Sequence, residues 1–500
     1  MTLKITARAG NPLDVQDEPV VVAVFSLVPT KTGALPEPLR SIDKTLDGRL
    51  AKLIAKEEFT GKREQSLAMQ SPTATMSGKL TIVGLGDAKQ LKVGDLRAVT
   101  ARIARAAQNE KATSLTLVLP DDLRDRLRTI GEGLELGAYR FTRYLTGDRK
   151  PKSSLEKVTL VFTGKFTAAS KEELELGQRI GTAINTTRDL GNEPPNEITP
   201  RALTQAAQTV AKANGLKAEL FDYKEIVKRG MKLVQAVGQG SENKPSFAHL
   251  TYTPGKKAKK TVVFVGKGIT FDSGGLSIKP APGMGDMKSD MSGAGNLVGL
   301  MAAVAALKPN VEVHAILVCA ENMPDGGAYR PGDIWGSLDG KTVEIVNTDA
   351  EGRLLLADAL AYARELKPDL LVDNATLTGA CVVALGTTCS AFYATNDESA
   401  KLFAGAVRDS GEQMWRMPLL EDLKEGIKSD VADVKQAGDR WGGSITAALF
   451  LREFIGDTKN WVHVDIAGPA FLEKPNGWSP RGASGHGILT FLSLIESMEN

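Results

Sequence analysis

Four acids, Asp272, Asp290, Asp349 and Glu351, and three bases, Lys267, Lys279 and Arg353, stand in glycine-rich stretches of the second half of the chain. Lys267, Asp272 and Lys279 occur in VGKGITFDSGGLSIKP, Asp290 in MKSDMSGAG, and Asp349, Glu351 and Arg353 in NTDAEGRLLLADAL. Brought together, four carboxylates would force protons onto one another unless positive charge neutralised them. Two divalent cations would do so. Oxygen ligands suit magnesium, manganese or zinc, and ions ~3.5–4 Å apart can share a bridging carboxylate and a bridging water. Lys267 would add a nitrogen ligand, which requires a neutral amine and a lowered pKa. Lys279 and Arg353 would then make the site electrophilic, as stabilising an oxyanion on an attacked carbonyl demands. An isolated D-x-E-x-R is usually solvated surface or ion-pair chemistry. Here the acids sit beside glycines and buried strands, and separate loops agree.

Those loops need a frame. TVVFVGKG, VEVHAILVCAEN, TVEIVN, DLLVDNATL and WVHVDIAG read as buried strands, separated in several cases by helical runs ending at Pro309 and Pro368. This is the rhythm of a mainly parallel sheet with helices on both faces, in which ligands gather at the carboxyl ends of strands. The lysine-and-aspartate loop follows TVVFVGKG, the small-residue loop ATLTGA follows DLLVDN, and NTDAEGR follows TVEIV. The period of two in NTDAEGR is expected to aim Asp349, Glu351 and Arg353 to one side, with the following helix fixing them. Thr199 is expected to cap a helix that starts at Pro200 and stops by Gly215. Before about residue 165, short β-rich runs mix with charged helical stretches and hold no ligand cluster. The expected fold is α/β with two domains. A smaller N-terminal α/β domain would span 1–165, and a catalytic domain with a mainly parallel, helix-flanked central sheet would span 166–500.

The remaining features narrow the function by exclusion. Lys+Arg 62 against Asp+Glu 60 gives a formal net charge of +2, so bulk charge indicates neither nucleic acid nor an anionic membrane. Cys319, Cys381 and Cys389 are odd in number and form no C-x-x-C pair, which fits a reducing compartment. The N-terminus lacks a signal-peptide pattern, and LVGLMAAVAAL is shorter than the ~20 residues of a membrane span. A cytoplasmic location is therefore expected. GLGDAK and GSLDGKT depart from phosphate loops and read as a strand-to-helix turn and an Asp-Gly hairpin. No EF-hand loop, H-E-x-x-H or G-x-S-x-G occurs. His314 reads as a core residue in a strand, while His463 and Asp465 are candidates to support the site from behind.

At these residues the sequence closely resembles the leucine aminopeptidase (cytosol aminopeptidase) family of dinuclear metallopeptidases. The motifs are VGKGITFDSGGLSIKP, MKSDMSGAG, ENMPDGGAYRPGD, NTDAEGRLLLADAL, ATLTGA and GSITAALFL, in order from about Asn185 to the C-terminus. By motif position, the resemblance implies that Asp272 and Glu351 bind both metals, Lys267 and Asp290 complete one site, and Asp349 completes the other. Lys279 and Arg353 match the two catalytic cations, and a bicarbonate held by Arg353 would shuttle the proton. Met287, Thr376 and Gly379 match positions lining the pocket for the first side chain, and the Leu377 carbonyl matches a contact to substrate backbone. The implied activity is release of N-terminal, preferably apolar, residues from peptides by a water activated by two ions, manganese or zinc, in a homohexamer. Two other readings make different demands. Two-metal phosphoester hydrolysis would call for phosphate loops and histidine ligands, and a non-catalytic nucleic-acid or assembly role would call for damaged ligands or a basic stripe.

Overall fold

β-Branched runs bounded by turn residues build two sheets, and the acids expected to do chemistry are carried by the second. The structure, a computed structural model, describes residues 3–10, 18–27, 35–70, 78–162, 164 and 166–499. The chain forms two compact units: Met1–Thr182 with Gly477–Ser479, and Ala183–Asn476 with Pro480–Asn500. Lys165, the expected boundary residue, lies outside the described residues.

The first unit holds a six-stranded sheet. Its strands are β1 (Lys4–Ala9), β2 (Val20–Phe25), β3 (Ser66–Gln70), β4 (Lys79–Gly86), β5 (Ser114–Val118) and β6 (Lys157–Phe162), in the order β1-β6-β5-β2-β4-β3. Every pairing is parallel except β3 with β4. GLGDAK is the strand-to-helix turn expected: Asp87 caps a short 3-10 turn after β4. The distant segment Gly477–Ser479 joins this unit through Trp478, whose ring lies 5.0 Å from the Arg97 guanidinium.

The second unit is built on eight strands, β7 (Lys217–Phe221), β8 (Ser246–Tyr252), β9 (Thr261–Asp272), β10 (Glu312–Asn322), β13 (Leu370–Ala375), β14 (Ser390–Ala394), β15 (Met414–Arg416) and β17 (Trp461–Asp465). Their order is β15-β14-β17-β13-β9-β10-β8-β7, with parallel strands at the centre and antiparallel neighbours toward both sides. β9, the most central chemically, is covered on one face by the helix Ser292–Leu307. Glycine makes that approach close: a Cβ on Gly266 would lie 2.6 Å from the Gly293 carbonyl oxygen. The helical stretch Met284–Leu307 is longer than the apolar run read from sequence, because a 3-10 turn precedes the α-helix. It is apolar and mostly buried inside the fold. The Thr199 cap, Pro200 start and left-handed Gly215 stop are formed as expected.

One strand departs from expectation. TVEIVN does not enter the central sheet. Only Thr342–Glu344 (β12) is extended, and it pairs with β11 (Ile334–Gly336) and β16 (Val434–Lys435) in a separate three-stranded sheet. The GSLDGKT hairpin links β11 to β12, with Gly340 in the left-handed region. Because TVEIVN is short and followed by turn-forming Asn-Thr-Asp, alternation alone did not distinguish a small accessory sheet from a core strand.

Across β8 and β10 runs a partly buried polar chain that begins on the helix Gly352–Arg364. Tyr362 Oη lies 3.0 Å from His249 Nδ1, His249 Nε2 lies 2.9 Å from His314 Nδ1, and His314 Nε2 lies 3.0 Å from Glu312 Oε1. One proton per ring satisfies the whole chain, each ring donating onward toward Glu312. Burial pulls both imidazoles down, with His314 adding to the effect on His249, whose pKa falls from 6.5 to about 4. The unfolded chain therefore takes up the proton first. The contribution is complete above about pH 6.5 and is lost as pH falls toward 4, a term of up to roughly 3 kcal/mol. Urea midpoints should fall between pH 7 and 5, and the slope should flatten in His249→Gln.

Candidate metal centre

The centre of the sheet presents Lys267 and Asp272 because β9 is long enough to carry both. Lys267 lies within the strand and Asp272 at its end, where the register against β10 slips between Ala320 and Asn322. Glycines then let the chain double back: Gly274 and Gly275 have φ +87° and +63°, and the Lys279 N–H closes the loop on the Ser273 carbonyl at 2.9 Å. Asp290 ends a 3-10 turn, Met284–Ser289, just before the helix that covers β9. Glu351 precedes the helix Gly352–Arg364. Gly352 has a specific duty, since a Cβ there would come within 2.6 Å of Lys267 Nζ.

These elements bring the expected residues together. Lys267 Nζ is 2.9 Å from Asp290 Oδ1 and 2.9 Å from Glu351 Oε1, and it donates to the Thr376 carbonyl at 2.9 Å. Lys279 Nζ is 2.8 Å from Asp272 Oδ2 and 2.5 Å from Asp349 Oδ1. Asp272, Asp290 and Glu351, all buried, offer oxygens within 4.8 Å of one another. Asp272 Oδ1 also accepts from the Gly274 N–H (2.9 Å) and from Asn322 Nδ2 (2.8 Å). Thr376 Oγ1 donates to Asp290 Oδ1 at 2.7 Å. Asp290 Oδ2 and Glu351 Oε2 are buried without a hydrogen-bond donor among the described residues. Unused carboxylate lone pairs in a buried cluster are what a divalent cation requires, so this donor set fits a metal.

The electrostatics say the same. Burial raises the Asp290, Glu351 and Asp349 carboxyls; neighbouring acids add to that, and Lys267 and Lys279 oppose it. Burial pulls Lys267 down, but Asp290, Glu351 and Asp272 outweigh it and leave the amine above its ordinary value. Beside burial, neighbouring negative charge pushes acids and amine in the same direction and holds protons in place of stronger cations. Lys279 is raised for the same reason by Asp272 and Asp349. Lys267 is thus protonated in this arrangement, and serving as a nitrogen ligand would require it to release that proton on metal binding.

The NTDAEGR segment reaches the cluster differently from the extended alternation expected. Asn347 Oδ1 accepts from the Asp349 N–H at 3.0 Å, the Ala350 N–H bonds the Asn347 carbonyl at 3.1 Å, and Glu351 is already helical in φ and ψ. A turn followed by the first residue of a helix, rather than a strand, places Asp349 and Glu351. Arg353, in the first helical turn, donates from Nη1 to the Gln436 carbonyl at 3.0 Å. Its Nε has no acceptor among the described residues. Burial pulls its guanidinium down to about 10 against the fields of Glu351 and Asp465, which leaves it charged at neutral pH. Thr376, Leu377 and Gly379 follow β13 beside Lys267, with Gly379 open to solvent, and Met287 sits half-buried in the 3-10 turn before Asp290.

Two residues here were not singled out from sequence. Asn322 bridges Asp272 and the Thr348 carbonyl (3.0 Å); a polar residue ending a buried apolar strand was the available signal. Gln436 carried none. Wholly buried, its Oε1 accepts from the Val346 and Asn347 N–H groups (both 3.2 Å), and its Nε2 donates to the Ala350 carbonyl (2.9 Å). One side chain therefore spans the turn that carries Asp349 and Glu351, and the backbone carbonyl of the same residue holds Arg353. Gln436→Leu should cut kcat/KM by about 10- to 100-fold through loss of orientation, with a lowered Tm that circular dichroism can follow.

Comparisons with known proteins agree with this geometry. The cytosol aminopeptidase family's catalytic domain matches residues 185–492 and its N-terminal domain matches residues 21–148. A probable cytosol aminopeptidase of Nostoc punctiforme is 43% identical over 462 residues, covering 91% of this chain and 92% of the relative. One from Aquifex aeolicus is 41% identical over 466 residues, 92% of each. Among solved structures, a mutant of tomato leucine aminopeptidase is similar with TM-score 0.88 and 32% identity over 99% of this chain and 96% of that one. The bottromycin maturation enzyme BotP in complex with Mn is similar with TM-score 0.83 and 33% identity over 97% and 100%. The chain belongs to the cytosol aminopeptidase family.

Proposed function

We propose that the protein is a metal-dependent aminopeptidase of leucyl type that removes single residues, apolar ones preferred, from the free N-termini of peptides. Family membership carries the reaction class. The observation that carries the chemistry is the convergence of Asp272, Asp290 and Glu351 oxygens within 4.8 Å around Lys267. In this reading Lys267, Asp272, Asp290, Asp349 and Glu351 hold two divalent ions, manganese or zinc, with Asp272 and Glu351 shared; the manganese named in the BotP structure supports that choice. Bound there, the ions supply a water of lowered pKa and an electrophile beside the scissile carbonyl.

The chain's own groups do the rest. Lys279 presents a cation to the developing oxyanion, positioned by Asp272 and Asp349. Arg353, a buried cation with an unused Nε, suits a small anion such as bicarbonate that moves the proton. Met287, Thr376 and Gly379 line the pocket for the first side chain, and the Leu377 carbonyl meets substrate backbone. An added Cβ at Gly379 would meet nothing within 4 Å, which supports room for that side chain. A free α-amine, unlike an acylated one, could be held at the metal centre, which would restrict cleavage to the first residue. Residues 166–500 form the catalytic domain in this reading and 1–165 the N-terminal domain. Assembly as a homohexamer and a cytoplasmic location complete it, the latter supported by the names of the relatives. Neither phosphoester hydrolysis nor a non-catalytic role is favoured by the family match.

The test is hydrolysis of leucine p-nitroanilide against its N-acetyl derivative. Cleavage of the free-amine substrate alone is the expected result; equal cleavage of both would contradict anchoring through the amine.

A further inference from the structure

A single peptide unit separates Lys267 from a second buried carboxylate. The Thr376 carbonyl accepts from Lys267 Nζ at 2.9 Å, and the N–H of the same peptide, that of Leu377, donates to Asp465 Oδ1 at 3.1 Å. A trans peptide is planar, with C=O and N–H directed oppositely, so it acts as a stiff spacer between the two side chains. Asp465 is itself immobilised. It is wholly buried, Oδ1 also accepts from the Ala467 N–H (3.2 Å), and Oδ2 accepts from Thr378 Oγ1 (2.7 Å). β13 and β17 are parallel neighbours with Ala375 opposite Asp465, so the strand register sets this arrangement.

Behind Asp465, on the same face of β17, lies a second buried pair. His463 Nδ1 is 2.6 Å from Asp373 Oδ1, and Asp373 Oδ2 accepts from Trp461 Nε1 at 2.8 Å. A row of buried ionisable groups is a costly way to hold two strands together, since well-packed apolar residues usually serve as well. Orientation of the neighbouring loop gives the row a purpose.

We infer that Asp465 is a positioning residue for Lys267, acting through the Thr376–Leu377 peptide. A carboxylate at the N–H end polarises the amide and strengthens its carbonyl as an acceptor. One Lys267 N–H is thereby fixed on Thr376, which limits where the lone pair of a neutral amine can point. Through Thr376 Oγ1 the same segment also holds Asp290. The inference rests on the reading of Lys267 and Asp290 as metal ligands.

The experiment is a manganese titration of metal-stripped full-length protein, following free Mn by electron paramagnetic resonance, with kcat and KM measured in parallel. Asp465→Asn keeps the shape and an acceptor for the Leu377 N–H but removes the charge; manganese affinity should fall about 10- to 100-fold. Thr378→Val, which removes only the bond to Oδ2, should weaken affinity in the same direction by less. Asp358→Asn is the control. Asp358 is equally buried and accepts from the backbone N–H groups of Leu233 (3.0 Å), Val234 (3.1 Å) and Leu338 (2.7 Å), so its loss should leave manganese affinity unchanged. Wild-type affinity in both Asp465→Asn and Thr378→Val would overturn the inference alone, as would an equal loss in Asp358→Asn. A wild-type protein that bound no manganese would overturn it together with the reading beneath it.

Discussion

Glu351→Gln should lower kcat/KM for leucine p-nitroanilide by at least ~10³-fold, because in the proposed reading a carboxylate shared by two cations is exchanged for a neutral amide worth several kcal/mol less to the transition state. The metal-free protein should respond in the opposite sense. Glu351 is buried among acids and its carboxyl is pushed up by burial and by Asp272. Removing its charge relieves repulsion while Asp290 remains 2.9 Å from Lys267 Nζ. The metal-free Tm should therefore hold or rise, whereas the stabilisation gained on adding manganese should vanish. Scanning calorimetry with and without manganese reads both. A large fall in the metal-free Tm would mean that Glu351 serves mainly as a partner for Lys267.

Lys279→Met should separate metal binding from catalysis. Its ammonium is joined to Asp272 and Asp349 and, in the proposed reading, is the cation that meets the developing oxyanion. Losing such a group typically costs ~10²–10³ in kcat. Metal content should stay near that of the wild type, since the carboxylates gain free lone pairs when Lys279 leaves. Steady-state kinetics beside elemental analysis of the same sample decides the point. A loss of activity that merely tracked metal content would make Lys279 a structural counter-ion.

Much of the site was legible because its residues sit where chain geometry leaves few alternatives. TVVFVGKG was legible as a buried strand, although the strand runs on through Asp272, which the sequence reading put in the following loop; the glycines after it announced a tight reversal that Gly274 and Gly275 make at positive φ. The small residues of ATLTGA likewise marked a loop beside a buried strand end. The segment TVEIVNTDAEGR was misread locally although its acids arrive as expected. Its charges attract attention equally in a strand or a turn, and only the Asn347 turn and the Gln436 bonds distinguish the two. Those bonds close over 86 residues or more, a separation at which single-residue patterns carry no information. The same is true of the His249–His314 chain. His314 was recognisable as a strand residue, but its partner comes from an antiparallel neighbour that alternation did not reveal. His463 and Asp465 were visible as an alternating pair in WVHVD. Their link to Lys267 depends on a backbone amide, which no side-chain motif encodes.

The most direct test of a two-ion centre is to strip the protein of metal and return manganese in measured equivalents, recording leucine p-nitroanilide hydrolysis and bound metal together. Activity should be absent without metal, rise with occupancy, and reach its full value only as the second equivalent per chain binds. Full activity in metal-free protein, or saturation at a single equivalent, would contradict the account.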